Sequence, residues 1–297
     1  MTADSPLVLR VAGPLAEVTD ASGTREVRLA PRLPGGPPVA GDHVVVDDTG
    51  TQGIVREILP RRTVLERVGS GGRVRAVVAN ADLLVVVAAV AEPPLVPRLI
   101  DRYAVAAVAG GLDLAVVLTK HDLPHDADAV AAVVARQRAA GHAVLIGSAL
   151  DPSLVAQVRE LIDGRIAALA GHSGVGKSTL TSALTGVPRA VGEVSDRLGS
   201  GRHTTTDPRL IPLPAGGAVV DTAGVRSFWL PPMGPAQIAA GFPDIADAAA
   251  RCRFLDCRHM GDAGCAAGDE VDPERLASYR ALVEAAESAE RFARGRD

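Results

Sequence analysis

The residues with the clearest chemistry lie in one glycine-rich stretch, which begins at Gly171 and ends at Ser178. It reads Gly-His-Ser-Gly-Val-Gly-Lys-Ser and fits the pattern G-x-x-x-x-G-K-[ST] of a phosphate-binding loop, or P-loop. In such a loop the backbone N–H groups surround a phosphate chain, and the start of the next helix adds partial positive charge. We expect Lys177 to contact the β- and γ-phosphates and the Ser178 hydroxyl to ligate Mg²⁺. The loop residues predicted to contact the nucleotide are Gly171, His172, Ser173, Gly174, Val175, Gly176, Lys177, Ser178 and Thr179.

Lysine usage supports a functional interpretation of this loop. Of the 31 basic residues, only Lys120 and Lys177 are lysines. Where a chain otherwise uses arginine, a lysine indicates a position that needs a compact ammonium, which the planar guanidinium cannot imitate. Lys177 belongs to the P-loop, and Lys120 belongs to a second motif.

That second motif is the tetrapeptide Thr119–Asp122, which reads Thr-Lys-His-Asp and fits the guanine-reading pattern [NT]-K-x-D. The Asp122 carboxylate can accept from the N1–H and the 2-amino group of guanine, a pair of donors that adenine lacks. Adenine would leave the carboxylate unpaired, so the motif predicts strong selection for guanine. Lys120 would pack its stem along the base, and Thr119 replaces the commoner Asn with less reach. The alternative is a helix-start turn capped by an aspartate.

Three further segments are predicted to contact the nucleotide. Ser148 and Ala149 follow a predicted strand and suit a loop whose backbone N–H contacts the base carbonyl. Thr205, in a polar loop that also contains Thr204, is predicted to ligate Mg²⁺ when a γ-phosphate is present. In the D-x-x-G motif Asp221-Thr222-Ala223-Gly224, Asp221 would hold Mg²⁺ through water, and the Gly224 N–H would sense the γ-phosphate.

The predicted chemistry is in-line attack of water on the γ-phosphate, with charge stabilised by Mg²⁺ and Lys177. Ras-like enzymes place a water-orienting Gln after the D-x-x-G glycine, whereas this chain has Val225. We therefore expect slow intrinsic hydrolysis, with the missing group supplied by another loop or by a partner. His203 is the candidate in the chain, so the predicted catalytic residues are His203, Lys177 and Thr205.

A second kind of site is predicted near the C-terminal end, where Cys252-x₄-Cys257-x-His259-x₅-Cys265 contains all three cysteines of the chain. Three thiolates and one imidazole are a tetrahedral zinc set, and four protein ligands leave no open position, so one structural zinc per chain is expected. A reducing compartment disfavours disulfides, and redox cysteines are the alternative. A helix over Pro273–Arg294 would complete a small domain with too thin a core to be stable without metal.

Composition limits the remaining possibilities. A chain of 297 residues predicts two or three domains, and its scarcity of aromatic residues predicts an aliphatic core. The net charge of −4 argues against indiscriminate nucleic-acid binding but permits local basic patches. No signal-peptide pattern is visible and no apolar run is long enough for a membrane span, so we expect a cytoplasmic protein with no membrane contact. Nothing in the sequence requires an oligomer, and we expect a monomer.

The elements that must position these residues fall into two patterns. Up to about residue 67, short β-like runs alternate with turns and predict a small oligonucleotide-binding (OB) type barrel; the runs are Leu7–Val11, Glu26–Leu29, His43–Asp47 and Gly53–Ile58. From Asp82, apolar strands alternate with helices and predict a parallel sheet covered on both faces. Between the two patterns lie several arginines, which are interpreted either as contacts to RNA phosphates or as a solvated basic linker: Arg56, Arg61, Arg62, Arg67, Arg73 and Arg75.

The order of the motifs is unusual, because the tetrapeptide Thr119–Asp122 precedes the P-loop. In Ras-like chains the P-loop comes first. Closing the same sheet therefore requires a circular permutation, which is tolerated when the joined ends lie near each other on the surface.

Several features occur together in this chain: the permuted motifs, Val225, Gly41-Asp42-x-Val44, the loop Gly-Arg-His-Thr-Thr, the cysteine finger and Ser278-Tyr279-Arg280. This ordered combination resembles the RsgA family of bacterial small-ribosomal-subunit-dependent GTPases. The resemblance implies an OB domain over residues 1–67, a circularly permuted α/β P-loop GTPase domain over 68–231 and a helical zinc-binding domain over 232–297. It further implies binding to the 30S subunit, with its 16S rRNA and ribosomal proteins, late in maturation. Hydrolysis of GTP to GDP would be stimulated by the ribosome and followed by release.

Two other classes of protein stay open from the residues alone. One is a nucleotide-gated switch that binds RNA or protein but does not act on the ribosome. The other is a P-loop ATPase in which Asp122 is incidental.

Overall fold

A computed structural model of the protein describes residues 5–48, 52–69, 72–187, 208–214, 216–222 and 229–294, with side chains to residue 289. The predicted site residues His203, Thr204, Thr205 and Gly224 lie outside the described residues, as do Ala223 and Val225.

The N-terminal part is a five-stranded barrel of OB type within the described residues, with strand order β1-β2-β3-β5-β4. Backbone N–H groups of Val8 and Val44 donate to Asp42 O (2.8 Å) and Pro6 O (3.0 Å), and these bonds join β1 to the start of β4 and close the sheet. Small aliphatic side chains fill its interior, as the composition predicts. The strands are β1 (Leu7–Ala12), β2 (Leu15–Asp20), β3 (Gly23–Leu29), β4 (Val44–Asp47) and β5 (Ile54–Ile58).

The segment after the barrel is a β-hairpin of β6 (Val64–Val68) and β7 (Val74–Ala79), which spans the domain boundary predicted at residue 67. The arginines before it make internal contacts. Arg61 forms two hydrogen bonds of 2.7 and 2.8 Å with the carboxylate of Asp42, which is fully buried, because a buried charge needs a partner. Arg62 pairs with Asp82 at 2.5 Å. This part of the chain is therefore folded, and the prediction of a solvated linker is wrong.

The central part is an α/β unit whose described strands form one six-stranded sheet in the order β10-β9-β8-β11-β13-β12. All neighbours are parallel except β12, which pairs antiparallel with β13 at the edge. Every residue of β8 is buried, and its side chains alternate between two core clusters, one on each face. The predicted sheet, covered on both faces, is confirmed. The elements are β8 (Leu83–Ala89), α1 (Pro97–Gly110), β9 (Asp113–Thr119), α2 (Ala127–Ala139), β10 (Ala143–Ile146), α3 (Pro152–Leu161), β11 (Ile166–Ala170), α4 (Lys177–Thr185), β12 (Arg209–Pro212) and β13 (Ala218–Asp221).

The C-terminal part is helical and shares its core with α1. Buried Phe242, Ile245 and Tyr279 pack in the same cluster as Val105 of α1. Gly241 allows this contact, because a Cβ at that position would lie 2.7 Å from Val105 Cα. The helices are α5 (Pro235–Ala239), α6 (Pro243–Ala249), α7 (Ala267–Glu270) and α8 (Pro273–Arg294). Among the described helices, none combines the length and apolar character that a membrane crossing requires.

Candidate functional site

The P-loop lies where its chemistry requires, between the end of β11 at Ala170 and the start of α4 at Lys177. The Lys177 ammonium lies over the loop and donates to Gly171 O at 2.7 Å and His172 O at 2.6 Å. Burial disfavours its charged form and lowers the pKa of Lys177 to about 8. The ammonium is therefore held by two backbone carbonyls of the loop in which a phosphate chain is expected to bind.

Two of the loop glycines are required by geometry. Gly171 has φ of 145°, and a Cβ there would lie 2.0 Å from Val87 O of the neighbouring strand β8. Gly176 has φ of 93° at the start of α4, a left-handed conformation that side chains disfavour. The loop therefore packs tightly against the sheet while its outer residues, His172, Ser173 and Gly174, stay exposed.

Thr119 ties the tetrapeptide Thr119–Asp122 to the P-loop. It is the last residue of β9 and fully buried, and its hydroxyl lies 2.6 Å from Val175 O and 3.2 Å from Ala88 O. A hydroxyl carries a single proton, so the shorter contact, to the P-loop carbonyl, is the donated one. A direct contact of Thr119 with a base stays a prediction.

The other base-reading candidates line the same edge of the sheet. Asp122 is exposed, and the Lys120 ammonium, on a backbone with φ of 57°, donates to Glu92 O. The His121 N–H donates to Gly147 O at 3.2 Å, which joins this turn to the loop containing Ser148 and Ala149. Buried Ala149 in turn lies next to Gly176 of the P-loop, whose Cβ would be 3.5 Å from Ala149 Cβ. The three loops that the sequence separates are therefore neighbours.

Asp221 ends β13, the strand beside β11. It is buried and pairs in register with Leu169, the residue before the last of β11. The Thr222 hydroxyl donates to Leu169 O at 2.6 Å, which fixes the start of the D-x-x-G motif beside the P-loop strand. Ser178 is half-buried at the start of α4. A hydroxyl and a carboxylate are oxygen ligands of the kind that Mg²⁺ prefers.

The predicted metal ligands converge at a second site. His259 Nδ1 lies 3.7 Å from Cys252 Sγ, 3.6 Å from Cys257 Sγ and 3.4 Å from Cys265 Sγ, and all four ligand atoms lie within 4.8 Å of one another. A tetrahedral zinc with bonds of about 2.3 Å to sulfur and about 2.05 Å to nitrogen would hold them about 3.6 Å apart. The four residues therefore fit a structural zinc ion.

Helix α8 supports this centre, a role that the ligand spacing does not reveal. The Tyr279 hydroxyl donates to Arg258 O at 3.2 Å, and Arg280 Nε donates to His259 O at 2.7 Å. His259 itself has φ of 58°, so the hydrogen bond from the Arg280 side chain to its carbonyl supports a backbone conformation that histidine adopts infrequently. Tyr279 and Arg280 were noted in the sequence only through the family resemblance, because a contact across 21 residues leaves no local pattern.

The permuted order of loops around one mostly parallel sheet defines the class of protein as a circularly permuted P-loop GTPase. Residues 58–231 match the family described as RsgA GTPase. The chain belongs to the RsgA GTPase family.

Curated relatives extend the similarity over most of the chain. The small ribosomal subunit biogenesis GTPase RsgA of Azotobacter vinelandii is 39% identical over 255 residues, which cover 82% of this chain and 74% of that relative. The proteins of the same name from Pseudomonas fluorescens SBW25 and Xanthomonas campestris pv. campestris B100 are each 40% identical, over 82% and 80% of this chain and 74% and 67% of the relatives.

Solved structures share the fold. YjeQ from Thermotoga maritima superposes with a TM-score of 0.72 at 24% identity, covering 95% of this chain and 98% of that one. YloQ, described as a circularly permuted GTPase, superposes with a TM-score of 0.71 at 22% identity, covering 96% and 95%. The predicted fold class and family are confirmed.

Proposed function

We propose that this protein binds the small ribosomal subunit in its GTP-bound state, acts late in the maturation of that subunit, and leaves after subunit-stimulated hydrolysis of GTP to GDP and phosphate. The observation that carries the proposal is the 2.6 Å contact between the Thr119 hydroxyl and Val175 O, which joins the guanine-reading motif to the P-loop. The ribosomal role is supported by the curated relatives, which are named small ribosomal subunit biogenesis GTPases. We propose that it works as a monomer in the cytoplasm.

At the nucleotide site, each residue has one proposed task. Asp122 accepts hydrogen bonds from the guanine edge, Lys120 packs against the base, and the 147–149 loop contacts its carbonyl. Lys177 leaves its carbonyl partners for the β- and γ-phosphates. Ser178 and Thr205 would hold Mg²⁺ directly and Asp221 through water; when bound, the ion would neutralise charge on the phosphates.

Water must be oriented for in-line attack, and Val225 cannot do this. We propose that His203 orients it, since a neutral imidazole can accept a hydrogen bond from water. Both residues lie outside the described part of the chain. The proposal predicts a low intrinsic rate that rises when the small ribosomal subunit is bound.

The ribosomal partner is also supported by charge on the β6–β7 hairpin. Arg73 and Arg75 are exposed, and Arg75 pairs directly across the ladder with Arg67. Like charges opposite each other destabilise a hairpin unless an anion lies near them. Such an anion would be an RNA phosphate, because backbone charge and shape are what proteins read on folded RNA.

The experiment that tests the proposal is GTP turnover by the full chain with and without purified 30S subunits. We expect a slow intrinsic rate and a rise of roughly tenfold or more with 30S subunits. Isolated 50S subunits serve as the matched control, and Lys177→Ala should be inactive under both conditions.

Sedimentation with a non-hydrolysable GTP analogue separates the alternatives. Association with 30S subunits that depends on the analogue supports the proposal. GTP binding without any such association would identify a switch that does not act on the ribosome, and equal turnover of ATP would identify an ATPase.

A further inference from the structure

Helix α1 places three consecutive residues against three different parts of the molecule. Asp101 contacts the C-terminal helices, Arg102 contacts Trp229, and Tyr103 contacts the P-loop. Neither the nucleotide motifs nor the zinc ligands include these residues. The helix therefore joins the C-terminal domain to the nucleotide site through contacts that the proposed function does not use.

The contact with the C-terminal domain is a buried ion pair. Asp101 Oδ1 accepts from Arg275 of α8, and both side chains are 1% exposed. Arg275 Nε also lies 3.2 Å from Asp244 Oδ2 of α6, and its guanidinium carbon lies 4.4 Å from the centre of the Phe242 ring. One arginine therefore fixes α1, α6 and α8 relative to one another.

The Asp101–Arg275 ion pair is not explained by a contribution to folding stability alone. Among the described residues, Asp101 Oδ2 and Arg275 Nη2 are buried without a hydrogen-bond partner. Burial raises the pKa of Asp101, while the charge of Arg275 opposes that shift. A buried ion pair is often no more stabilising than apolar residues of the same volume, but it accepts only one geometry. The pair thus sets where α1 lies.

The contact with the P-loop is made two residues further along α1. Tyr103 is buried in the same core cluster as Ala170, the residue that precedes the P-loop, and the Gly171 N–H donates a hydrogen bond to its hydroxyl. Gly171 is the glycine whose Cβ would collide with β8, so this end of the loop has no space to shift. Burial raises the pKa of Tyr103 to about 12, and the hydroxyl therefore stays protonated at neutral pH.

The third contact of α1 is between Arg102 and Trp229, which follows the D-x-x-G motif in the chain. The guanidinium of Arg102 lies 5.5 Å from the centre of the Trp229 ring, and the Val68 N–H donates to Trp229 O at 3.0 Å. Trp229 is the single tryptophan of the chain. It therefore reports on this junction by its fluorescence.

We propose that Arg275 and Tyr103 are positioning residues for nucleotide binding, because the Asp101–Arg275 pair holds α1 so that Tyr103 keeps the P-loop in its binding geometry. This inference rests on the proposed GTP site. Because such coupling is reciprocal, bound nucleotide should in turn change the stability of the contact between the C-terminal domain and α1.

A double-mutant cycle on nucleotide affinity tests the inference. Tyr103→Phe removes one hydroxyl, and Arg275→Met removes the charge while keeping the aliphatic bulk. Each should weaken binding of a fluorescent GDP analogue about fivefold, with zinc content unchanged. If both act through α1, the double variant should also lose about fivefold rather than the roughly 25-fold of independent effects.

Arg251→Met, which removes an exposed ion pair with Glu270 in the same domain, is the matched control and should bind like wild type.

A merely structural role of Arg275 would lower the melting temperature but leave affinity, measured well below that temperature, unchanged. That result, or losses that multiply in the double variant, overturns the inference. If Arg275→Met does not fold, Asp101→Asn takes its place in the same cycle. The change in Trp229 emission on adding GDP should be smaller in the Arg275 or Asp101 variant than in wild type, and an equal change would also contradict the inference.

Failure of this inference and failure of the proposed function give different results. Wild-type protein that binds no GDP analogue contradicts the proposed GTP site. Wild-type protein that binds it, with variants that bind equally well, contradicts only the positioning role.

Discussion

Lys177 gives the nucleotide site a dependence on pH. Its side chain is half-buried, and its ammonium is held by two carbonyl oxygens, which are weaker partners than phosphate. Burial alone lowers its pKa to about 8. Phosphates would favour the charged form, so the pKa of Lys177 must be higher in the complex than in the free protein.

The first prediction is that GDP affinity falls as pH rises above 8. Below pH 8 Lys177 is charged in both states and affinity is flat. Above it, the free protein must take up a proton to bind, and affinity drops by up to about tenfold per pH unit until the pKa of the complex is reached. Calorimetry at pH 9 in two buffers of different ionisation enthalpy measures this proton uptake.

Lys177→Arg is the matched control, measured at GDP concentrations that offset its weaker binding, because arginine stays charged over this range. It should show no proton uptake at pH 9. Equal uptake by wild type and Lys177→Arg would assign the proton to another group and contradict the role given to Lys177.

At the scale of elements, we expect the cysteine finger, Cys252 to Cys265, to depend on a bound zinc ion for its fold. Helix α7 has four residues and α6 has seven, and helices of this length are not stable alone in water. The segment between them carries the four ligands, and one of these, Cys265, is part of the core that the helices share. Zinc would therefore supply much of the folding free energy of this part.

The second prediction is one zinc per chain by elemental analysis, lost in Cys257→Ser. The variant should show a separate, earlier unfolding transition for the C-terminal helices, because three ligands bind zinc more weakly than four. Asp256→Asn, an exposed neighbour in the same loop, should keep both the zinc and the wild-type unfolding curve. A folded, metal-free wild-type protein would contradict the assignment.

Helix α8 has the predicted bounds, Pro273–Arg294, because a proline marks its start. Strand β2 was missed because Glu17 and Asp20 interrupt its apolar character, and the hairpin β6–β7 was missed because its arginines resemble a linker. Half-buried strands owe their pairing to distant partners, which a local pattern does not contain.

The same limit applies to the site. Motif spacing identified the residue types, and the fold brings the tetrapeptide Thr119–Asp122, the 147–149 loop and the P-loop together. The 56-residue separation between Thr119 and Val175 hides the hydrogen bond that joins two of them. The links through Tyr103 and Arg275 are hidden in the same way.

At the scale of the whole molecule, permutation changes the order of the chain but not the neighbours in the sheet. The chain enters at β8, leaves from β13, and passes directly from the D-x-x-G strand into the C-terminal domain. Strands β9, β8 and β11 are adjacent and parallel, so their carboxyl ends meet at one edge. That edge is where open α/β sheets bind ligands.

We propose that this edge of the sheet holds a single guanine nucleotide, with its base at Asp122 and its phosphates at Lys177. The most direct test compares affinities for GDP, XDP and ADP in wild type and in Asp122→Asn. We predict that wild type prefers GDP, and that Asp122→Asn loses about a hundredfold in GDP affinity while gaining affinity for XDP, because xanthine carries an oxygen where guanine carries the 2-amino group. An unchanged preference for GDP in Asp122→Asn, or equal binding of ADP by wild type, would contradict the account.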